Sequence, residues 1–168
     1  MRNARVRAWA LVAVAAAGLA GGAGADEAVG RRIPDEGAGH VPEGTRVRYR
    51  HQPPTSGAHW PRPAPWGVYD DPIPPERYVH NLAHGGVVIL YHCPAACPRL
   101  VEQLQDAYAG FPKSKYDTVK LVIAPDPSLK SRLALLAWDW IDELPDFDRA
   151  EILRFYESRV DQGPEDVP

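Results

Sequence analysis

Five prolines between Gln52 and Pro65, at positions 53, 54, 61, 63 and 65, constrain this chain more than any other feature. Each fixes its own backbone angle and lacks an N–H, so the stretch forms neither a helix nor a central strand. A long irregular segment inside a small domain is functional or disordered. Trp60, Trp66 and Tyr69 argue that this one is ordered and packed down. With 18 Pro and 14 Gly in 168 residues, much of the chain runs as turns and extended loops.

Regular structure has to fit around that segment. Pro74 and Pro75 suit a helix start, and a short helix is predicted from about Pro75 to His84, stopped by Gly85-Gly86. Val87 to Tyr91 reads as a strand buried on both faces. Pro98 opens an amphipathic helix ending near Gly110, with Val101, Leu104 and Tyr108 along one side. Val119 to Ala124 is a second buried strand, and Phe147 to Val160 a final helix whose start is favoured by Asp146 and Asp148. Val47-Arg48-Tyr49 alternates like a short strand. Residues 132–141 fit a helix or a buried strand equally well. Interleaved strands and helices predict an α+β or α/β domain over residues 40–168, with a small mixed sheet covered by helices. Residues 26–39, Gly-rich and charged, read as a flexible lead-in.

Arg2, Arg5 and Arg7 precede a small-apolar run from Ala8 to Ala23, and Ala23-Gly24-Ala25 follows. That is the pattern of a secretory signal peptide over residues 1–25. Left uncleaved, the same segment would tether the chain to a membrane. Cleavage removes three Arg and no acid, so the formal charge moves from −3 to −6. With no long basic stretch, nucleic acid is not an expected partner.

His80 and His84 lie four apart, which on a helix puts both imidazoles on one face. H-x-x-x-H is a spacing at which two ring nitrogens meet one metal ion. The intervening residues are Asn81, Leu82 and Ala83, so the metalloprotease general base is missing. A third ligand has to come from a fixed loop, and His59 stands in one, behind Pro54, Thr55, Ser56 and Gly57. His40 or His51 supplies a fourth. Imidazole suits copper and zinc, and the chain has no Met beyond Met1 for a thioether Cu(I) site. In the competing reading, His84 caps a helix C-terminus as a cation and His59 is a packed loop residue.

Cys93 and Cys97 admit three readings: a disulfide, a redox pair at a helix N-terminus, or part of a copper site. The disulfide ranks first for an exported chain. Over residues 87–104 the order strand, C-P-x-x-C-P, helix resembles the copper-site segment of Sco-type copper chaperones, which makes a thioredoxin-like fold the alternative architecture. Those proteins also use a later His, and none follows His92.

Across about residues 39–166 the chain resembles a bacterial family known as domain of unknown function DUF3105. The carrying segments are His40 to Thr45, Pro53 to His59, Gly67-Val68-Tyr69, Val79 to Val88, Ala137-Trp138, Phe147-Asp148 and Gly163-Pro164-Glu165. Where the family usually reads Leu-Glu-His-Gly, this chain has Ala83 in place of the Glu. The resemblance implies an exported or membrane-anchored location and assigns no activity.

Three functions follow. The first is an extracytoplasmic copper- or zinc-binding protein using His59, His80, His84 and His40. The second is a hydrolase in which His80 or His84, or a metal-bound hydroxide, attacks or activates, with Thr55 or Ser56 the sole hint of a nucleophile. The third is a partner- or glycan-binding module lined by Trp60, Trp66, Trp138 and Trp140.

Overall fold

Strand β5 (Val87–Tyr91) is the centre of the molecule, and all five of its residues are buried. In the computed structural model, which describes residues 29–168, β5 runs parallel to β6 (Leu121–Pro125) and antiparallel to β7 (Leu133–Ala137). Strand β4 (Gly67–Val68) extends the sheet parallel to β6. On the other side β7 turns into β8 (Trp140–Leu144), which pairs antiparallel with β1 (Arg31–Arg32). A six-stranded mixed sheet results, ordered β1-β8-β7-β5-β6-β4.

Alternation along the strands divides the core in two. Val87, Ile89 and Tyr91 face one cluster with Leu121, Ile123, Leu133 and Leu135. That face is covered by α2 (Pro98–Tyr108) through Leu100, Leu104 and Ala107, and by α3 (Arg149–Arg159) through Ile152, Phe155 and Tyr156. Val88, Leu90, Val122, Ala124, Ala134 and Leu136 face the other way, against Tyr78, Val79 and Leu82 of α1 (Pro75–Ala83). A separate parallel pair, β2 (Ala38–His40) with β3 (Gly57–His59), lies against α1. The domain is therefore α+β, with a mixed sheet between helices, and the architecture adds nothing specific to the thioredoxin-like alternative.

Several expectations are corrected. Residues 132–141 become β7 and the start of β8, joined through Trp138 and Asp139. Val47-Arg48-Tyr49 forms no strand. Its groups are held instead by side-chain contacts, Val47 N–H donating to Glu76 Oε1 and the Tyr49 hydroxyl to the Ala58 carbonyl. Residues 29–39 are not a free lead-in: they contribute β1 and most of β2, and Ile33 is buried in the second core. Helix α3 begins two residues later than predicted because Asp148 is its cap, accepting from the N–H groups of Ala150 and Glu151. The segment read from the sequence as a signal peptide, residues 1–25, lies outside the described residues. Among the described residues no helix is long and apolar enough to cross a membrane.

Candidate metal centre

The proline segment holds His59 as a buried, oriented imidazole. Pro53, Pro54, Thr55, Ser56 and Gly57 are all buried. The Thr55 carbonyl accepts from Asp139 N–H at 3.2 Å, and Ser56 Oγ accepts from Glu36 N–H at 3.0 Å. Gly57 has φ +119°, and a Cβ there would stand 2.9 Å from the Tyr49 ring. Both facts require glycine. The Gly57 carbonyl then accepts the Nδ1–H of His59 at 2.8 Å. That bond leaves the His59 lone pair on Nε2, and Nε2 is buried with no hydrogen-bond partner.

His80 is oriented in the same way from α1. Its Nδ1–H donates to the Trp60 carbonyl at 2.6 Å, so its lone pair also sits on Nε2. A carbonyl behind a histidine ring is the usual device for aiming the opposite nitrogen at a metal. His40 joins through the sheet, because the β2–β3 register sets it directly beside His59. The rings of His40, His59 and His80 form a near-equilateral triangle, with centroids 4.8 to 5.0 Å apart. His40 is exposed, whereas His59 and His80 are buried.

His84 follows the last residue of α1 and meets His80 from the next turn, Nε2 to Nε2 at 2.8 Å. Two nitrogens bound about 2.0–2.1 Å from one tetrahedral ion stand roughly 3.4 Å apart. The two rings thus sit slightly closer than joint coordination needs, at a separation that suits a hydrogen bond between them.

Glu165 completes the cluster, its Oε2 3.3 Å from His84 Nε2 and 4.0 Å from His80 Nε2. It arrives on the C-terminal strap. Asp161 N–H donates to the Gly85 carbonyl and Glu165 N–H to the Ala83 carbonyl. A Cβ on Gly163 would stand 2.2 Å from the Ala83 oxygen, so only glycine lets the strap lie this close to the helix end. Lys120, 1 % exposed, pins the strap. Its ammonium donates to the carbonyls of His84 and Val167 and pairs with Asp161 at 3.1 Å.

The donors form two groups in which all ligand atoms lie within 4.8 Å of one another: His40, His59 and His80, and His80, His84 and Glu165. Burial lowers the pKa of His59, against the opposing hydrogen bond to Gly57. Burial lowers His80 further, to about 4. Burial lowers His84 as well, against the pull of the Glu165 carboxylate. At neutral pH these three imidazoles are therefore uncharged, the state a metal requires of a histidine. His84, at the C-cap of α1, is then not a cation there, whereas His59 is a buried loop residue bonded to the backbone, as the competing reading has it, and in addition keeps an unpartnered Nε2.

The four histidines chosen from the sequence fall into the two adjoining groups, His40 and His59 in one, His84 in the other, and His80 in both. His51 does not join them: its Nδ1 is engaged by the Pro53 carbonyl at 2.9 Å, much as a carbonyl engages Nδ1 in His59 and His80, but it stands in neither donor group. Glu165 and Lys120 are the residues that sequence reasoning did not assign to the site. The one signal for Glu165 was its place in a Gly-Pro-Glu segment shared with a family. Cys93 and Cys97 form a disulfide with Cα atoms 5.9 Å apart, at the start of α2 and in neither donor group. Ser56 Oγ is buried and engaged, and Thr55 is buried, which leaves neither poised as a nucleophile. The tryptophans do not line one groove, since Trp66 and Trp138 pack on one core and Trp140 on the other.

The class defined by fold and site is a small α+β domain whose histidine groups are able to hold a metal ion. The chain belongs to the family described as Protein of unknown function (DUF3105), which matches residues 40–167. No curated protein and no solved structure matches it.

Proposed function

We propose that this protein is an extracytoplasmic binder of a divalent transition metal, Cu²⁺ or Zn²⁺, through His40, His59, His80, His84 and Glu165. The observation that carries the reading is the pair His59 and His80: both rings donate Nδ1–H to a fixed carbonyl, and the Nε2 of His59 is buried without a partner. An orphaned buried acceptor costs about 1–3 kcal/mol, a cost that a bound cation removes. The donor set of imidazoles and one carboxylate suits borderline divalent ions. With both cysteines in a disulfide, no thiolate is on offer for Cu(I). A disulfide and a leader-like N-terminus support export. No observation favours the hydrolase or the glycan-binding alternative over this reading.

Titration of Zn²⁺ and Cu²⁺ into the metal-free protein by calorimetry tests it. Binding tighter than micromolar is expected, with loss of at least tenfold in affinity in the His80→Ala/His84→Ala variant. Absence of binding, or binding indifferent to that double substitution, overturns it.

A further inference from the structure

The two donor groups share one residue, His80. Its Nδ1 carries a proton that is given to the Trp60 carbonyl, so a single lone pair, on Nε2, can serve a metal, and an ion that takes it replaces the 2.8 Å contact with His84 Nε2. One lone pair coordinates one ion at a time. The two groups therefore cannot both be filled unless His80 surrenders its bond to Trp60. Nor do they fuse into one set in which every donor lies within 4.8 Å of every other. An ion seated among His40, His59 and His80 occupies a different position from one seated among His80, His84 and Glu165.

From this, and resting on the metal-binding reading above, we infer that the centre holds one divalent ion and passes it between two donor sets that pivot on His80 Nε2. The chemistry is plain ligand exchange without redox change. His40 and His59 let go as His84 and Glu165 take hold, while the bond to His80 persists throughout. The first set is all nitrogen and uncharged; the second replaces one nitrogen by a carboxylate oxygen and lowers the net charge of the complex by one. Each set also has a ligand open to solvent, His40 being exposed and Glu165 half-buried. An incoming ligand of a metal donor or acceptor can approach either set at that point. Two overlapping sets at one centre suit a protein that hands an ion on better than one that stores it.

Cu²⁺ serves as the probe because its electron paramagnetic resonance distinguishes an all-nitrogen set from a mixed nitrogen–oxygen set. The wild-type protein is expected to take up one Cu²⁺ per chain and to show two overlapping spectra. His40→Ala should leave the mixed spectrum alone, and Glu165→Gln the all-nitrogen spectrum alone. Both substitutions are at accessible positions, so they decide the matter even if a change at buried His80 disturbs folding. His80→Ala should weaken binding by more than the roughly 100-fold that loss of an outer partner of a metal ligand costs. Uptake of two ions per chain overturns the shared-pivot inference while leaving metal binding standing. A single wild-type spectrum that both surface variants alter alike, or neither alters, also overturns it. Failure of the wild type to bind Cu²⁺ and Zn²⁺ at all overturns the metal-binding reading itself.

Discussion

The two faces of the sheet are built on different terms. Helix α2 buries Leu100, Leu104 and Ala107, and α3 buries Ile152, Phe155 and Tyr156, so one face is sealed almost wholly by apolar packing. Helix α1 buries seven of its nine residues, and Glu76, His80 and Asn81 are among them. Beside it the proline segment buries Thr55, Ser56 and His59. Burying polar groups costs free energy unless each finds a partner. Asn81 finds two, its carbonyl oxygen accepting from Ala64 N–H and its amide donating to the Ala64 carbonyl. His59 Nε2 finds none. The comparison teaches that the α2–α3 face is closed by apolar packing, while the α1 face packs an apolar core beside buried polar groups, not all of which are paired.

The largest expected effect breaks that contrast if it is wrong. Phe155, fully buried on the α2–α3 face, should cost about 3–5 kcal/mol of unfolding free energy when replaced by Ala. The same Phe155→Ala protein, while folded, should bind Zn²⁺ within about twofold of wild type, since no donor rests on that helix. Urea unfolding beside zinc calorimetry measures both. A large loss of zinc affinity in the folded variant would show that the two faces are coupled.

Gly57→Ala reverses the weighting. The left-handed backbone and the Tyr49 contact together should cost about 1–3 kcal/mol. The sharper effect falls on metal, because the Gly57 carbonyl orients His59. Alanine keeps the carbonyl but shifts it, and misplacing such an outer partner is expected to lower affinity by up to about 10–100-fold. Unchanged affinity would remove the proline segment from the site.

These two variants also mark what was legible in the sequence. The His80–His84 pair could be read because a proline start, an i,i+4 spacing and a double glycine stop are local signals. His59 could be read because prolines and a glycine announce a fixed loop. Glu165 could not be placed, because it reaches the site only through the strap that Lys120 pins from 45 residues earlier in the chain, a purely tertiary contact. The β7–β8 hairpin was illegible for another reason. Strand β7 is buried on both faces and loses the alternation that marks strands, and its turn uses Asp139 at φ +62° where a glycine would have been the signal. The residues Val47 to Tyr49 showed the converse fault: alternation without a neighbouring strand to pair with.

The smallest effect near neutral pH is one of linkage, and it sharpens the contrast between the faces. His59, His80 and His84 all have folded-state pKa values below the ordinary imidazole value, with burial the main cause in each. Above about pH 6.5 both folded and unfolded chains carry these rings largely neutral, so they give stability no dependence on pH there. Below that pH the unfolded chain takes up protons that the folded chain refuses, and stability falls. For His80 the fall continues down to about pH 4, where the folded protein protonates too. The metal-free protein should therefore show a thermal midpoint that is flat from pH 8 to 7 and declines between about pH 6.5 and 4. A His80→Gln variant should decline less steeply over the same window. The outcome that would sink this account is a wild-type midpoint that holds or rises from pH 6.5 to 4, because the α1 face would then carry no buried imidazoles to protonate.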